Sequence, residues 1–125
     1  MPYEVSFDEQ DEIVQLRAFG LVTHEEHDAA RRQAAQLCRE NKSSKILSDL
    51  RELDTEKSST LNCFDYGEAL AQENIPHSTR IAIVLPTDPD STKDIQFVAT
   101  VAANRGRVPL QFKTVEEAKQ WLLGS

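Results

Sequence analysis

A chain of 125 residues is the size of one domain, residues 1–125, and can bury a core without disulfides or a structural metal. Hydrophobic residues at 39% and charged residues at 28% place it among ordinary soluble globular chains. A formal charge of −7, with Lys and Arg scattered, argues against nucleic acid or an anionic membrane as partner.

The opening "YEVSF" alternates Tyr3, Val5 and Phe7 against Glu4 and Ser6, the period of a half-buried strand. "DEQDE" follows as a turn without the Gly or Asn that a tight hairpin prefers. "IVQLRAF" then places Val14, Leu16 and Ala18 on one face, so the two runs are expected to pair as an antiparallel hairpin. From His24 to about Asn41 the period becomes helical, with His27, Ala30, Ala34, Leu37 and Cys38 on one stripe. Asp28 and Arg32 are placed for an outward i,i+4 ion pair.

"KILSDL" reads as the next strand and "RELDTEKSS" as a loop leading to a helix from about Thr60 to Glu73. Gly67 weakens that helix by about 1 kcal/mol relative to Ala but permits close packing. "RIAIVLP" is an apolar run that suits a central parallel strand covered on both faces, closed by Pro86. "DSTKDIQFVATVAANRG" carries a third helix, capped by Asp90 or Ser91, with Phe97, Val98, Val101 and Ala102 inward and Gly106 past its end. "VPLQF" is a fifth strand, at an edge because of Pro109. "TVEEAKQWLL" is the last helix, with Thr114 and Glu117 as a capping box and Val115, Ala118, Trp121 and Leu122 facing the core. The order ββαβαβαβα predicts an α/β domain: a mixed, mostly parallel five-stranded sheet with four helices and right-handed crossovers.

Carried by the opening hairpin, "KILSDLREL", "RIAIVLP" and the ending "LQFKTVEEAKQWL", the chain resembles the STAS domains (sulfate transporter and anti-anti-sigma factor), nearest to small stand-alone bacterial members with a CRAL-TRIO-like, lipid-binding character. The resemblance covers nearly the whole chain and implies a STAS-like fold and a non-enzymatic regulatory or protein-interaction role. Anti-anti-sigma members carry a D-S-S-G-like turn with a phosphorylated serine at the start of the second helix. Here "EKSSTLN" stands in that neighbourhood with no glycine after the serines, so Ser58, Ser59 and Thr60 match by position only.

"VTHEEHD" invites comparison with the zinc-binding H-E-x-x-H, but His24 and His27 are three apart rather than four, and the third histidine, His77, is distant in sequence. Thr23 as N-cap with Glu26 as its capping-box partner, and Val22 packing on His27, explain the same residues. "DPDSTKD" spaces Asp88, Asp90, Thr92 and Asp94 like half a calcium loop, yet Lys93 and Ala99 replace the glycine and the closing glutamate. No metal or other cofactor is expected. In "KSST", Ser59 or Thr60 suits a helix cap, and phosphorylation is the alternative use of Ser58, Ser59 and Thr60.

No nucleophile motif, P-loop or dinucleotide fingerprint is present in the sequence, so no catalytic residue is assigned. Cys38 and Cys63 lack C-x-x-C spacing and read as reduced thiols of a cytoplasmic chain. Cys38 lies on the core stripe, and Cys63 is near a helix start where a thiol pKa can fall. The N-terminus has no signal-peptide pattern, and no apolar run approaches the ~20 residues of a membrane span.

Asp49 and Arg51 fall at the carboxyl end of an expected parallel strand, where open α/β sheets bind their ligands, with Pro86 to Asp90 beside them. The expected binding surface is therefore this rim: Asp49, Arg51, Ser58, Ser59, Thr60 and Asp88. The expected partner is a protein, and a homodimer is compatible with the sequence. The rival is a small-molecule or lipid carrier holding an apolar ligand between helices and sheet, which calls for a pocket of about 300 Å³ or more and which a solid core would exclude.

Overall fold

A computed structural model describes residues 2–56 and 58–124 of the chain. The elements run β1 (Tyr3–Asp8), β2 (Ile13–Leu21), α1 (His24–Asn41), β3 (Lys45–Asp54), α2 (Thr60–Ala71), β4 (Arg80–Val84), α3 (Pro89–Asn104), β5 (Leu110–Phe112) and α4 (Val115–Leu123). The five strands form one sheet in sequence order, β1 antiparallel to β2 and every later neighbour parallel. This is the expected mixed, mostly parallel α/β architecture.

Because each parallel strand is added on the same side of the last, crossovers of one hand carry α1, α2 and α3 to the same face. The core divides accordingly. Leu16, Ile46, Leu50, Ile81 and Ile83 pack under Ala30, Ala34, Leu70 and Ile95 of those helices. On the other face Ile13, Leu47, Ala82 and Val84 pack against Ala118 and Leu122 of α4, with Val115, Phe112 and Trp121 at its margin. β4 is thus covered on both faces, which is why it reads as an unbroken apolar run.

The β1–β2 turn is closed without glycine. Asp8 Oδ1 accepts from the backbone N–H of Gln10 at 3.0 Å and of Asp11 at 3.3 Å, and Glu12 takes a left-handed φ of 57°. At the end of α3 the left-handed position does fall to a glycine, Gly106 at φ 97°. Its N–H bonds to the carbonyl of Ala103 and that of Arg107 to the carbonyl of Ala102, the paired closure of a Schellman motif. Arg107 then turns fully inward, where its guanidinium donates to the carbonyls of Glu73 (3.2 Å), Ile75 (3.0 Å) and Pro76 (3.2 Å) and pins the segment between α2 and β4.

Four expectations need correction. "RELD" belongs to β3 rather than to a loop, because an irregularity in the β2–β3 register, between Arg17 and Phe19, breaks the alternation and lets both Leu50 and Leu53 face the core. Phe97 is exposed at the surface rather than inward, whereas Ile95, Val98, Ala99, Val101 and Ala102 are the apolar residues that α3 buries. Asp28 pairs inward with Arg31 at 2.5 Å rather than outward with Arg32. The cap of α3 is Asp88, not Asp90 or Ser91.

Candidate functional site

The carboxyl ends of β3 and β4 open onto the loops that start α2 and α3. Each of these helices begins on a capping side chain there. Ser59 Oγ accepts from Asn62 N at 3.0 Å, and Asp88 Oδ2 accepts from both the N–H (2.9 Å) and the hydroxyl (2.8 Å) of Ser91. The hydroxyl of Ser91, fully buried, in turn accepts the backbone N–H of Thr55 at 3.0 Å. Thr55 closes the circuit by donating its own hydroxyl to Asp94 Oδ2 at 2.6 Å. Thr87 ties the second loop to β3 through its N–H and hydroxyl, both directed to the carbonyl of Arg51. Hydrogen bonds to Ser91 hold the Asp88 carboxyl below the usual carboxylate range.

These loops frame a groove of about 600 Å³ lined by Arg51, Glu52, Asp54, Thr55, Glu56, Ser58, Thr87, Asp88, Asp90 and Asp94, among others. Among the described residues lining it, Arg51 is the sole cation. Of the rim residues expected from the sequence, Arg51, Ser58 and Asp88 come together in this groove. Ser59 and Thr60 are spent on the start of α2, Ser59 as its cap. Lys57, within the same "KSST" segment, lies outside the described residues.

Asp49 is not part of the groove. β3 continues past it to Asp54, so it sits mid-strand, gripped by Arg51 through Nε to Oδ1 (2.9 Å) and the terminal nitrogen to Oδ2 (2.8 Å). The Arg51 hydrogen bonds hold the Asp49 carboxyl below its ordinary pKa. Asp90 lies in the Pro86 to Asp90 segment expected beside the rim, whereas Glu52, Asp54, Thr55, Glu56 and Asp94 were missed as groove residues. The available signal was the acidic "ELDTE" running on from a strand, obscured by reading it as loop.

A second space lies inside the fold, between the sheet and the helices α1 and α2. It is an apolar cavity of about 80 Å³, walled by residues such as Leu16, Ala34, Ile46, Leu70, Ile83 and Val98. Ala30, Ala34 and Ala35 let α1 approach the sheet closely, whereas α2 rests mainly on α3 and α1 and stands further off, which leaves the space beneath it. The core is therefore not solid, but the cavity is well below the ~300 Å³ at which drug-sized pockets begin.

Polar groups gather at one side of this cavity. Arg31 donates to Asp28 and, through Nε, to Glu73 at 2.9 Å, and its guanidinium lies 5.4 Å from the centre of the Tyr66 ring. Burial opposes the charge on Arg31, but its two carboxylate partners outweigh this and hold its pKa above the ordinary value. His27 meets Tyr66 edge-on at 5.6 Å. Burial, reinforced by His24, lowers the His27 pKa to about 4, and burial raises that of Tyr66 to about 12, so both are neutral near pH 7.

The capping explanation of "THEEHD" is what the geometry shows. Thr23 Oγ1 accepts from Glu26 N at 3.1 Å, and Glu26 Oε1 accepts from Thr23 N at 2.9 Å. His24 and His27 open α1 at the carboxyl side of the sheet, while His77 precedes β4 at the opposite end. Among the described residues no three His, Cys, Asp or Glu side chains are arranged to hold a metal ion. Cys38 and Cys63 are both buried free thiols. Burial drives Cys38 up to about 11 and also raises Cys63, which outweighs any lowering from the nearby helix start.

Fold and site together define an α/β domain with a polar groove at the carboxyl end of a mostly parallel sheet, and no helix among the described residues is long and apolar enough to cross a membrane. Compared with protein-family models, with curated proteins and with solved structures, the chain matches none.

Proposed function

We propose that the chain is a non-enzymatic interaction module that docks a cationic segment of a partner protein in the groove at the carboxyl end of β3 and β4. The observation that carries this reading is the groove itself, about 600 Å³ with Glu52, Asp54, Glu56, Asp88, Asp90 and Asp94 set against Arg51. Carboxylates of one sign in a concave surface focus the field and favour a partner of the opposite charge. The STAS-like resemblance of the sequence points to the same kind of role. A non-enzymatic reading also suits the local chemistry, in which Ser59, Asp88, Ser91 and Asp94 are engaged in holding the loops. Phosphorylation of Ser58 would add negative charge to the groove wall and strengthen such docking.

The test is fluorescence anisotropy with labelled octalysine and octaglutamate peptides at two salt concentrations. Octalysine binding that weakens with salt, and that drops about tenfold in an Asp54→Asn/Glu56→Gln/Asp90→Asn variant, supports the reading. Equal binding of the two peptides, or an unchanged variant, sinks it.

A small-molecule carrier is the second reading, favoured by the apolar cavity under α2. Its volume of about 80 Å³ suits a small ligand better than a lipid chain.

A further inference from the structure

The cavity and the groove share a wall. Thr55 and Ser58, in the loop between β3 and α2, line both spaces. Thr55 is also the hub of the bonds that hold the first two turns of α3, through its N–H to Ser91 and its hydroxyl to Asp94. Asp94 and the Ser91 partner Asp88 are groove residues. Anything that pushes on Thr55 from inside therefore acts on carboxylates outside.

We propose that the cavity under α2 is a binding site for a small, neutral, mainly apolar molecule, and that its occupancy is transmitted to the groove through Thr55 and Ser58. The class of ligand follows from the lining. Most of the wall is aliphatic, so an apolar body is favoured. The one cation of the polar cluster, Arg31, is already matched by Asp28 and Glu73, which leaves no unmatched positive charge there for an anionic ligand such as a fatty acid. The volume sets the size. An engineered apolar cavity of about 150 Å³ holds benzene, and the cavity here is about 80 Å³. A ring of that size must displace a wall. α2 and the loop before it are the wall to move, because α2 stands off the sheet while α1 is seated on it. A ligand shifts such an equilibrium only by preferring one arrangement, and an apolar ring prefers the widened one. In that arrangement the Thr55 bonds to Asp94 and Ser91 loosen and the groove loses its set shape.

The coupling to peptide docking rests on the interaction-module reading, and the ligand site does not. The experiment is a titration of the full chain with benzene, followed by methyl and amide NMR, with octalysine affinity measured in parallel. The expected result is saturable shifts of the Ile46, Leu70 and Ile83 methyls and of the Thr55 and Ser58 amides at one half-saturation concentration. Octalysine affinity is expected to fall about fivefold, the lower end of ordinary allosteric coupling. Ala34→Leu, or Cys63→Met if the first does not fold, fills the cavity and abolishes all of these responses. Unmoved cavity methyls overturn the site. Saturable methyl shifts with static Thr55 and Ser58 amides overturn the transmission. If octalysine binds under no condition, the docking reading falls alone, and the two amides still decide the inference.

Discussion

Arg31 on α1 donates through Nε to the Glu73 carboxylate, 2.9 Å away and 42 residues later in the chain, just past the end of α2. The pair clasps the two helices that roof the apolar cavity. Both side chains are largely buried, at 10% and 14% exposure, so removing one leaves the other's charge poorly solvated. Glu73→Ala is expected to lower the unfolding free energy by about 2–3 kcal/mol, less than a fully orphaned charge because Asp28 still serves Arg31. Glu73→Gln, which keeps a carbonyl acceptor, loses less. Urea denaturation of the two variants checks the order, and equal stability for both would remove the ionic contribution.

Gly67 sets the distance between α2 and α3. A Cβ at this position would lie 2.7 Å from Val101 Cβ and 2.8 Å from the Val98 carbonyl oxygen. In an open helix Gly→Ala gains about 1 kcal/mol. Here it must push a backbone carbonyl aside, and overpacking of this kind costs about 1–3 kcal/mol. Gly67→Ala is expected to be net destabilising by up to about 2 kcal/mol, with Val101→Ala giving little relief because the Val98 oxygen stays. A gain in melting temperature would show that the helices separate freely.

How far the sequence foretold these features follows from how local each one is. The Thr23–Glu26 box depends on four consecutive residues and was legible. So was β4, whose covering on both faces leaves a continuous apolar run. β3 was cut short because an irregular register lets Leu50 and Leu53, three apart, share the core side, a spacing that mimics the end of a strand. Arg31 was not recognised as the inward partner of Asp28, since nothing near it in sequence announces Glu73. The rim was placed at the carboxyl end of the sheet, where the groove lies, yet it included Asp49, which is outside that groove, and omitted Asp94. Which carboxylates meet there depends on the end of β3 and on the first two turns of α3, two segments about 40 residues apart. The cavity arises from how high α2 rides over the sheet, a tertiary quantity with no local signature.

Ser91 is fully buried between two loops, accepting from Thr55 N while donating to Asp88. Ser91→Ala removes both bonds and leaves a buried backbone N–H without a partner, a loss of about 1–3 kcal/mol. Hydrogen exchange is the sharper readout. The Thr55 amide is expected to lose its protection in Ser91→Ala, while amides of β4 keep theirs relative to the new global stability. Protection retained at Thr55 would mean that its N–H has found another acceptor.

His27 gives the fold a defined acid sensitivity. Its folded pKa is about 4 against an ordinary 6.5, because burial beside Tyr66 and the neighbouring His24 disfavour the imidazolium more than Asp28 and Glu26 favour it. The unfolded chain therefore binds a proton at higher pH than the folded chain does. The stabilising contribution of neutral His27 is fully present above about pH 6.5 and is lost progressively as the pH falls toward 4. Below that the folded form takes up the proton too and this slope ends. Allowing for partial exposure, the loss is on the order of 2 kcal/mol. Asp49 acts in a different window, below its ordinary 3.8, so the two are separable. Urea midpoints measured from pH 7 to pH 4 are expected to fall in the native chain and to fall less in His27→Gln. Identical slopes in the two proteins would place the imidazole in water rather than against Tyr66.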